Sequence, residues 1–183
     1  MDKEKIIDSA RAILKAIGED PQREGLVKTP KRIAASYEKI FGGYYIDPSS
    51  LVTQFDGENY DEMIICKNID FYSTCEHHMI PFFGKISIGY IPSKKIVGIS
   101  KLPRMVEIFA RRLQNQERLT MQISEKLNEL LEPKGVGVVV EASHLCMMAR
   151  GVEKQNSTMI TSSCKGLFKT DQRTRAEFLK LIK

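Results

Sequence analysis

Residues 73–81 read STCEHHMIP and hold two of the chain's three histidines and one of its four cysteines. Cys75 and His78 stand three positions apart, with Glu76 and His77 between them. Thiolate sulfur and imidazole nitrogen are the donors that a borderline-soft ion such as Zn²⁺ prefers, and a turn or strand end at this spacing offers both to one ion. The rest of the set lies downstream, at Ser143-His144-Leu145-Cys146. The pattern predicts a strand there, on which His144 and Cys146, as alternate residues, share a face. Cys75, His78 and Cys146 then make three protein ligands, with His77 and His144 beside them. One strand must deliver Cys75, and a second, distant in sequence, must bring Cys146 to the same place. Three ligands leave a position for water, as in catalytic zinc sites. A fourth from His77, His144, Cys66 or Cys164 would close the site as a structural one. Adjacent side chains rarely reach one ion together, which weighs against His77. Joint ligation by His144 and Cys146 stays open.

Working outward, Met63 to Phe71 read as the strand that leads to Cys75. Ile86, Ile88 and Tyr90 alternate with Lys85, Ser87 and Gly89, which predicts a half-buried strand. Pro92 to Lys95 read as a turn and Ile96 to Ile99 as a return strand, so 84–100 is expected to form a hairpin. Two helices follow. The first is expected from about Pro103 to Leu113, with Val106, Phe109, Ala110 and Leu113 inward. The second starts near Gln116, turns Leu119, Ile123, Leu127 and Leu130 inward, and stops before Pro133. Val136 to Val140 predict a strand running on to His144 and Cys146. Ser157 to Ser163 suit a last strand, and Asp171 caps a terminal helix with Phe178, Leu181 and Ile182 inward. The result is α+β, an antiparallel sheet with helices on one face. Four strands cannot close a barrel alone and leave open edges, so a homo-oligomer is expected.

Before this core, residues 3–17 predict a helix capped by Asp2, with a stripe of Ile6, Ala10, Ile13, Leu14 and Ile17. A second helix begins with Thr29 as N-cap and Pro30 at its first position, carries Ile33, Tyr37, Ile40 and Phe41 on one side, and closes at Gly42-Gly43. Residues 44–61 read as irregular. No Gly/Ser-rich linker intervenes, so 1–183 is expected as a single domain, with a helical arm at 1–43 and a core at 62–183.

The chain has 183 residues, enough for a real core, and its apolar content of 42% is ordinary for a globular protein. No apolar run approaches the roughly 18 residues of a membrane span. The N-terminus carries acids and lacks a signal pattern, so a cytoplasmic protein is expected, with its cysteines as thiols or metal ligands. Lys and Arg total 28 against 23 Asp and Glu, a net charge of +5. That balance suits nucleic acid or a polyanionic small molecule, and no RNA-binding, zinc-finger or helix-turn-helix signature accompanies it.

Ser100-Lys101-Leu102-Pro103-Arg104 stands where a strand enters a helix. Free N–H groups, a hydroxyl and two cations there suit a phosphate, although a solvated basic first turn is the commoner meaning of such a stretch. Both cations oppose the helix dipole and call for a compensating anion. Arg150 follows Cys146 by four residues and places another cation near the expected metal. With no GxxxxGK[ST] loop, side chains would have to hold any nucleotide. Glu117, next to Gln116 at a helix start, is either an N-terminal charge or a carboxylate facing a donor-bearing ring. Arg111-Arg112 read as a solvated face, Cys66 and Cys164 as small buried hydrophobes, and Met147-Met148 as packing.

Five segments together carry a family resemblance: GLVKTPKRIAASYEKIF, STCEHHMIPFFGKISIGYIP, VGISKLPRMVEIFARRLQNQERLTMQI, HLCMMARGV and GLFKTDQRTRAEFL. From about Gly25 to the C-terminus the chain resembles GTP cyclohydrolase I. The resemblance implies the tunnelling fold, a four-stranded antiparallel sheet with two long helices on one face. Subunits of that fold pool their sheets into a barrel, here in a homodecamer of two pentamers. The reaction it implies converts GTP and water to 7,8-dihydroneopterin triphosphate and formate, the first step of folate or tetrahydropterin synthesis. By motif, Cys75, His78 and Cys146 match the zinc ligands, and His77 and His144 the catalytic histidines. Gln116 and Glu117 match the residues that hold the purine. Ser100, Lys101, Arg104 and Arg150 match the triphosphate contacts, joined by Arg32 from a neighbouring subunit. Asn115 stands where an aliphatic residue is usual, and Cys164 where Met or Leu is common.

That chemistry needs water attack at C8 of the purine, protonation of a ring nitrogen, for which His77 is the choice, and proton transfers at the ribose, for which His144 is. Two rivals remain. One is another zinc purine hydrolase, which the missing HxE…PCxxC deaminase pattern disfavours. The other is a zinc-stabilised basic module binding nucleic acid, whose affinity would fall steeply with salt.

Overall fold

The four long strands form because β-branched and aromatic residues alternate in runs bounded by turns. The computed structural model describes every residue except Val52 and Glu58. Its main sheet runs in the order β5 (Leu113–Gln114), β2 (Ile64–Cys75), β3 (Pro81–Ile91), β6 (Gly135–His144), β7 (Met159–Gly166). Neighbours among the long strands are antiparallel, and the two-residue β5 joins β2 in parallel. The fold is thus α+β, with a fifth short strand added to the expected four. Strand β2 bulges between Cys66 and Ile69, where Asn68 takes a positive φ of 60°.

One face of the sheet meets α3 (Lys101–Ala110) and α4 (Gln116–Leu131). Phe71, Phe82, Ile86, Ile88 and Tyr90 of β2 and β3, with Val136, Val138 and Val140 of β6, pack there against Val106 and Phe109 and against Leu119, Ile123 and Leu127. Each such side chain, fully buried, contributes about 1.5–3 kcal/mol over exposure. Leu131 is the buried residue of the last α4 turn, and Leu130, partly buried, packs against the same cluster as expected. Leu113 leaves the first helix early and lies in β5.

Helices also cover the other face, contrary to the one-sided arrangement expected. Gly89 and Gly137 are cross-strand partners. A Cβ at Gly137 would fall 2.5 Å from Phe168, and one at Gly89 would fall 2.8 Å from Phe178. The two missing side chains make the hollow in which Phe168 of α6 (Leu167–Thr170) and Phe178 of α7 (Gln172–Ile182) meet edge to face, centroids 5.2 Å apart. Asp171 caps α7 as expected, accepting from the Arg173 N–H at 2.9 Å. Leu181 is exposed, not inward.

The 84–100 hairpin does not form. Both edges of β3 are already taken, by β2 and β6, so β4 (Lys95–Val97) pairs instead with β1 (Gln54–Asp56), inside the stretch read as irregular. The Val97 N–H donates to the buried Tyr90 hydroxyl at 3.0 Å and ties this small sheet to β3. Arg111 and Arg112 are not a solvated face either. Arg111 pairs with Glu107, while Arg112 donates to the carbonyls of Gly43 and Ile108 and lies over the Phe109 ring.

The chain divides into two compact units, Met1–Gly42 and Gly43–Lys183. In the first, α1 (Lys3–Ala16) has the expected Asp2 cap, which accepts from the Lys5 N–H at 3.2 Å. Its buried stripe is Ile7, Ala10 and Leu14, and Ile13 and Ile17 are 62% and 68% exposed, so the inward face is rotated from the one expected. Helix α2 (Thr29–Ile40) has Lys28 at its N-cap without a side-chain bond, one residue before the expected Thr29. No described helix is long and apolar enough to cross a membrane.

Candidate functional site

The turn after β2 is held on both sides by main-chain bonds. The Cys75 N–H donates to Ile80 O at 2.9 Å, and the Met79 N–H to Cys75 O at 2.8 Å. Met79 takes a left-handed φ of 53°, which lets the chain reverse into β3. From the other edge, Gln114 of β5 pairs with Cys75 and accepts the Glu76 N–H at 2.9 Å. Cys75 is therefore fixed at a buried strand end, while His77 and His78 project as exposed residues of the turn.

Strand β6 pairs with β3 as far as His144, opposite Phe82, and then stops. Cys146 lies on the helical turn α5 (Leu145–Met148), so the shared strand face expected for His144 and Cys146 does not exist. The helical turn separates them. The Cys146 thiol joins Cys75 and His78, with ligand atoms all within 4.8 Å of one another. Cys75 Sγ and His78 Nδ1 are 3.9 Å apart. Tetrahedral coordination with Zn–S near 2.3 Å and Zn–N near 2.0 Å asks for ligand separations of about 3.5–3.8 Å, so the group fits a metal ion with small adjustments. Burial and the neighbouring Cys75 both push the Cys146 thiol up, and Arg150 partly offsets them. A cation there would instead hold both sulfurs as thiolates.

His77 also reaches Cys75, Nδ1 to Sγ at 3.7 Å, but it is not part of the three-residue group. His144 is sent elsewhere. Its ring stacks on Phe82, centroids 4.7 Å apart and planes within 3°, and its Nε2 lies 2.8 Å from Gln116 Oε1. Burial lowers its pKa below the ordinary histidine value, and the Glu117 carboxylate opposes that shift. Glu117 is thus close enough to act on His144, and it is exposed in the first turn of α4. Gln116 is 2% exposed, with its side-chain amide committed inside the protein.

Sequence reading passed over Glu76, the residue inside the cluster. Its carboxylate accepts from Arg118 Nη2 and, at 3.1 Å, from Asn115 Nδ2. The Arg118 hydrogen bond is the main reason its pKa is lowered. Asn115 also caps α4, accepting from the Arg118 N–H at 2.8 Å. The residue that departs from the aliphatic pattern thus ties the start of α4 to the turn that carries Cys75 and His78. The available signal was charge complementarity between CEHH and QERL.

The expected phosphate contacts are placed apart. Arg150 lies at the cluster, Nη1 to His78 Nε2 at 2.9 Å. Ser100, Lys101 and Arg104 form the start of α3, where the Ser100 hydroxyl makes no capping bond and no described acid pairs with either cation. Among the described residues no hydrogen bond or ion pair joins them to Cys75, His78 or Cys146. Arg32 is exposed on α2, in the first unit. Cys66 and Cys164 are half-buried, their thiols pushed up by burial, and join no ligand group among the described residues.

Comparison with known proteins places the chain in a family. The family model for GTP cyclohydrolase I matches residues 6–183, so it takes in most of the arm that the motifs reached only from Gly25. "GTP cyclohydrolase 1" of Wolinella succinogenes is 57% identical over 177 residues, covering 96% of this chain and 95% of its own. The protein of that name from Leptospira biflexa is 58% identical over 172 residues, 93% of this chain and 94% of its own. One solved structure, an archaeosine synthase QueF-Like in the apo form, overlaps 57% of this chain at 20% identity and a TM-score of 0.46, too loose a likeness to carry the fold. With a matching model over nearly all its length and relatives above half identity, the chain belongs to the GTP cyclohydrolase I family of enzymes.

Proposed function

We propose that this chain opens the imidazole ring of GTP at C8 by hydrolysis, releases C8 as formate, and rearranges the remainder to 7,8-dihydroneopterin triphosphate. The observation that carries the proposal is the Cys75–His78–Cys146 group with His77 at its side and His144 held 2.8 Å from Gln116, the neighbour of Glu117. Two sulfurs and one nitrogen match zinc better than magnesium or calcium, which take oxygen ligands. When bound, zinc supplies Lewis acidity for hydrolysis near neutral pH.

The chain's own residues do the rest. The Glu117 carboxylate accepts from N1–H and the 2-amino group of guanine and so turns C8 toward the opposite side. Gln116 contributes its main-chain N–H, which a first-turn residue leaves without an intrahelical partner. His77 protonates an imidazole nitrogen as the ring opens. Its Nδ1 lies 3.7 Å from Cys75 Sγ and its Nε2 lies 3.9 Å from Glu76 Oε1. His144 moves protons at the ribose. Ser100, Lys101, Arg104 and Arg150 bind the triphosphate, and Arg32 joins them from a neighbouring subunit.

A shared site requires an assembly. We infer a tunnelling-type fold whose sheets pool into a barrel, in a homodecamer of two pentamers acting in the cytoplasm. Strand β7 supports this: it ends the sheet, and its Ile160 is 61% exposed. An edge of that kind invites pairing with another chain.

GTP labelled at C8 tests the reaction. The expected outcome is label recovered stoichiometrically as formate, with the triphosphate retained in a pterin product. Label kept in the purine with release of ammonia would mean a deaminase and would overturn the proposal.

A further inference from the structure

Gln116 lies at the first position of α4 with its side chain buried between that helix and the sheet. Its Nε2 is 3.1 Å from Val140 O, 3.0 Å from Met159 O and 3.1 Å from Thr161 Oγ1. Carbonyl oxygens only accept, so the amide nitrogen must face them. The reverse orientation would set Oε1 against two carbonyls with no proton between. The threonines agree with this direction. The Thr120 hydroxyl donates to Gln116 O at 2.7 Å, which leaves its oxygen to accept from Thr161 at 2.7 Å. Thr161 Oγ1 is then free to accept from Gln116. The ring of bonds closes in one sense only.

With the amide nitrogen fixed inward, Oε1 must point at His144, where it lies 2.8 Å from Nε2. An amide oxygen has no proton to give, so Nε2 must carry the hydrogen. Phe82, stacked parallel on the imidazole, prevents the ring from swinging away from this bond. Nδ1 is left as the only ring atom of His144 able to take up or release a proton in turnover.

We propose that Gln116 is a positioning residue for His144. It fixes the ring and holds the hydrogen on Nε2, so that proton exchange with the substrate runs through Nδ1, and its side chain does not touch the purine. This deepens the proposed function and rests on its reading of His144 as a proton-transfer group.

The protein labelled with ¹⁵N-histidine has six ring nitrogens to observe by solid-state NMR, because the chain has three histidines. His144 is assigned by its loss from the spectrum of His144→Asn. The parent protein should show Nε2 protonated and Nδ1 unprotonated. Gln116→Met, which keeps the bulk without donor or acceptor, should give a mixture of the two neutral forms. Its kcat should fall about 100-fold, within the usual contribution of a positioned proton-transfer group, while KM for GTP stays nearly unchanged. A parent spectrum with Nε2 unprotonated overturns the proposal without any variant, which covers the case of Gln116→Met failing to fold. A raised KM with kcat preserved would also overturn it, by placing the side chain on the purine. If the tautomer shifts as expected but turnover does not change, the positioning stands and the catalytic reading of His144 fails.

Discussion

Cys146→Ser is expected to purify with only traces of metal and with GTP turnover reduced by three to four orders of magnitude. A metal ion contributes several kcal/mol to stabilising a hydrolytic transition state, and about 1.4 kcal/mol is a factor of ten, so its loss costs on the order of 10³–10⁴ in rate. The fold should survive. Cys146 is half-buried on a helical turn and only borders the hydrophobic cluster between the sheet and α3 and α4. The state of assembly of the parent protein should therefore be unchanged in the variant. Metal analysis, steady-state turnover and sedimentation check the three parts separately. Full metal content with full turnover would mean that the ligand set is wrong.

Glu117→Ala is expected to lose a comparable amount while keeping its metal. Guanine presents N1–H and the 2-amino group side by side, and one carboxylate can accept both in charge-assisted bonds, which are stronger than neutral ones. Adenine offers neither donor in that arrangement and would leave the carboxylate unpaired. Sites built around such a group reject the analogue lacking its partner by about 10⁴-fold or more. Inosine triphosphate keeps N1–H but lacks the 2-amino group, so its kcat/KM should fall between those of GTP and ATP. The structure adds a second expectation. Glu117 adjoins Gln116, whose amide oxygen lies 2.8 Å from His144 Nε2, so the variant should lose kcat as well as substrate affinity. Equal kcat/KM for GTP and ITP in the parent, with little loss in Glu117→Ala, would return Glu117 to the part of a helix-start charge.

The Cys/His cluster was legible because its chemistry is written in rare residue types. All three histidines fall in two cysteine-bearing stretches, and the structure brings Cys75, His78 and Cys146 together. The long helices were legible from period, since Leu119, Ile123 and Leu127 repeat at four-residue intervals on a buried stripe. Partner choice was not. The alternation of Ile86, Ile88 and Tyr90 identifies a strand, but nothing local says that β3 is already flanked by β2 and β6, or that β4 will reach back some forty residues to β1. In α1, Ile6, Ile13 and Ile17 compete with Ile7 and Leu14 for the inward face, and hydrophobicity alone does not separate the two stripes. Cys146 was placed on a strand because β6 runs straight toward it, yet the pairing ends at His144 and the chain coils into a helical turn. Arg112 was read as solvated because a charge usually is, whereas its guanidinium caps two carbonyls and rests on aromatic rings. Gly89 and Gly137 pass unremarked in a sequence, and their lack of side chains becomes meaningful only when Phe168 and Phe178 are seen in the hollow they leave.

The central claim is that the Cys75–His78–Cys146 group holds the zinc on which formate release from GTP depends. Zinc titrated into chelator-stripped protein, with formate from GTP measured at each step, tests it most directly. Formate release should be near zero at the start, rise in proportion to zinc, and level off at one zinc per chain. Full formate release from stripped protein, or a plateau with no fixed relation to the number of chains, would contradict it.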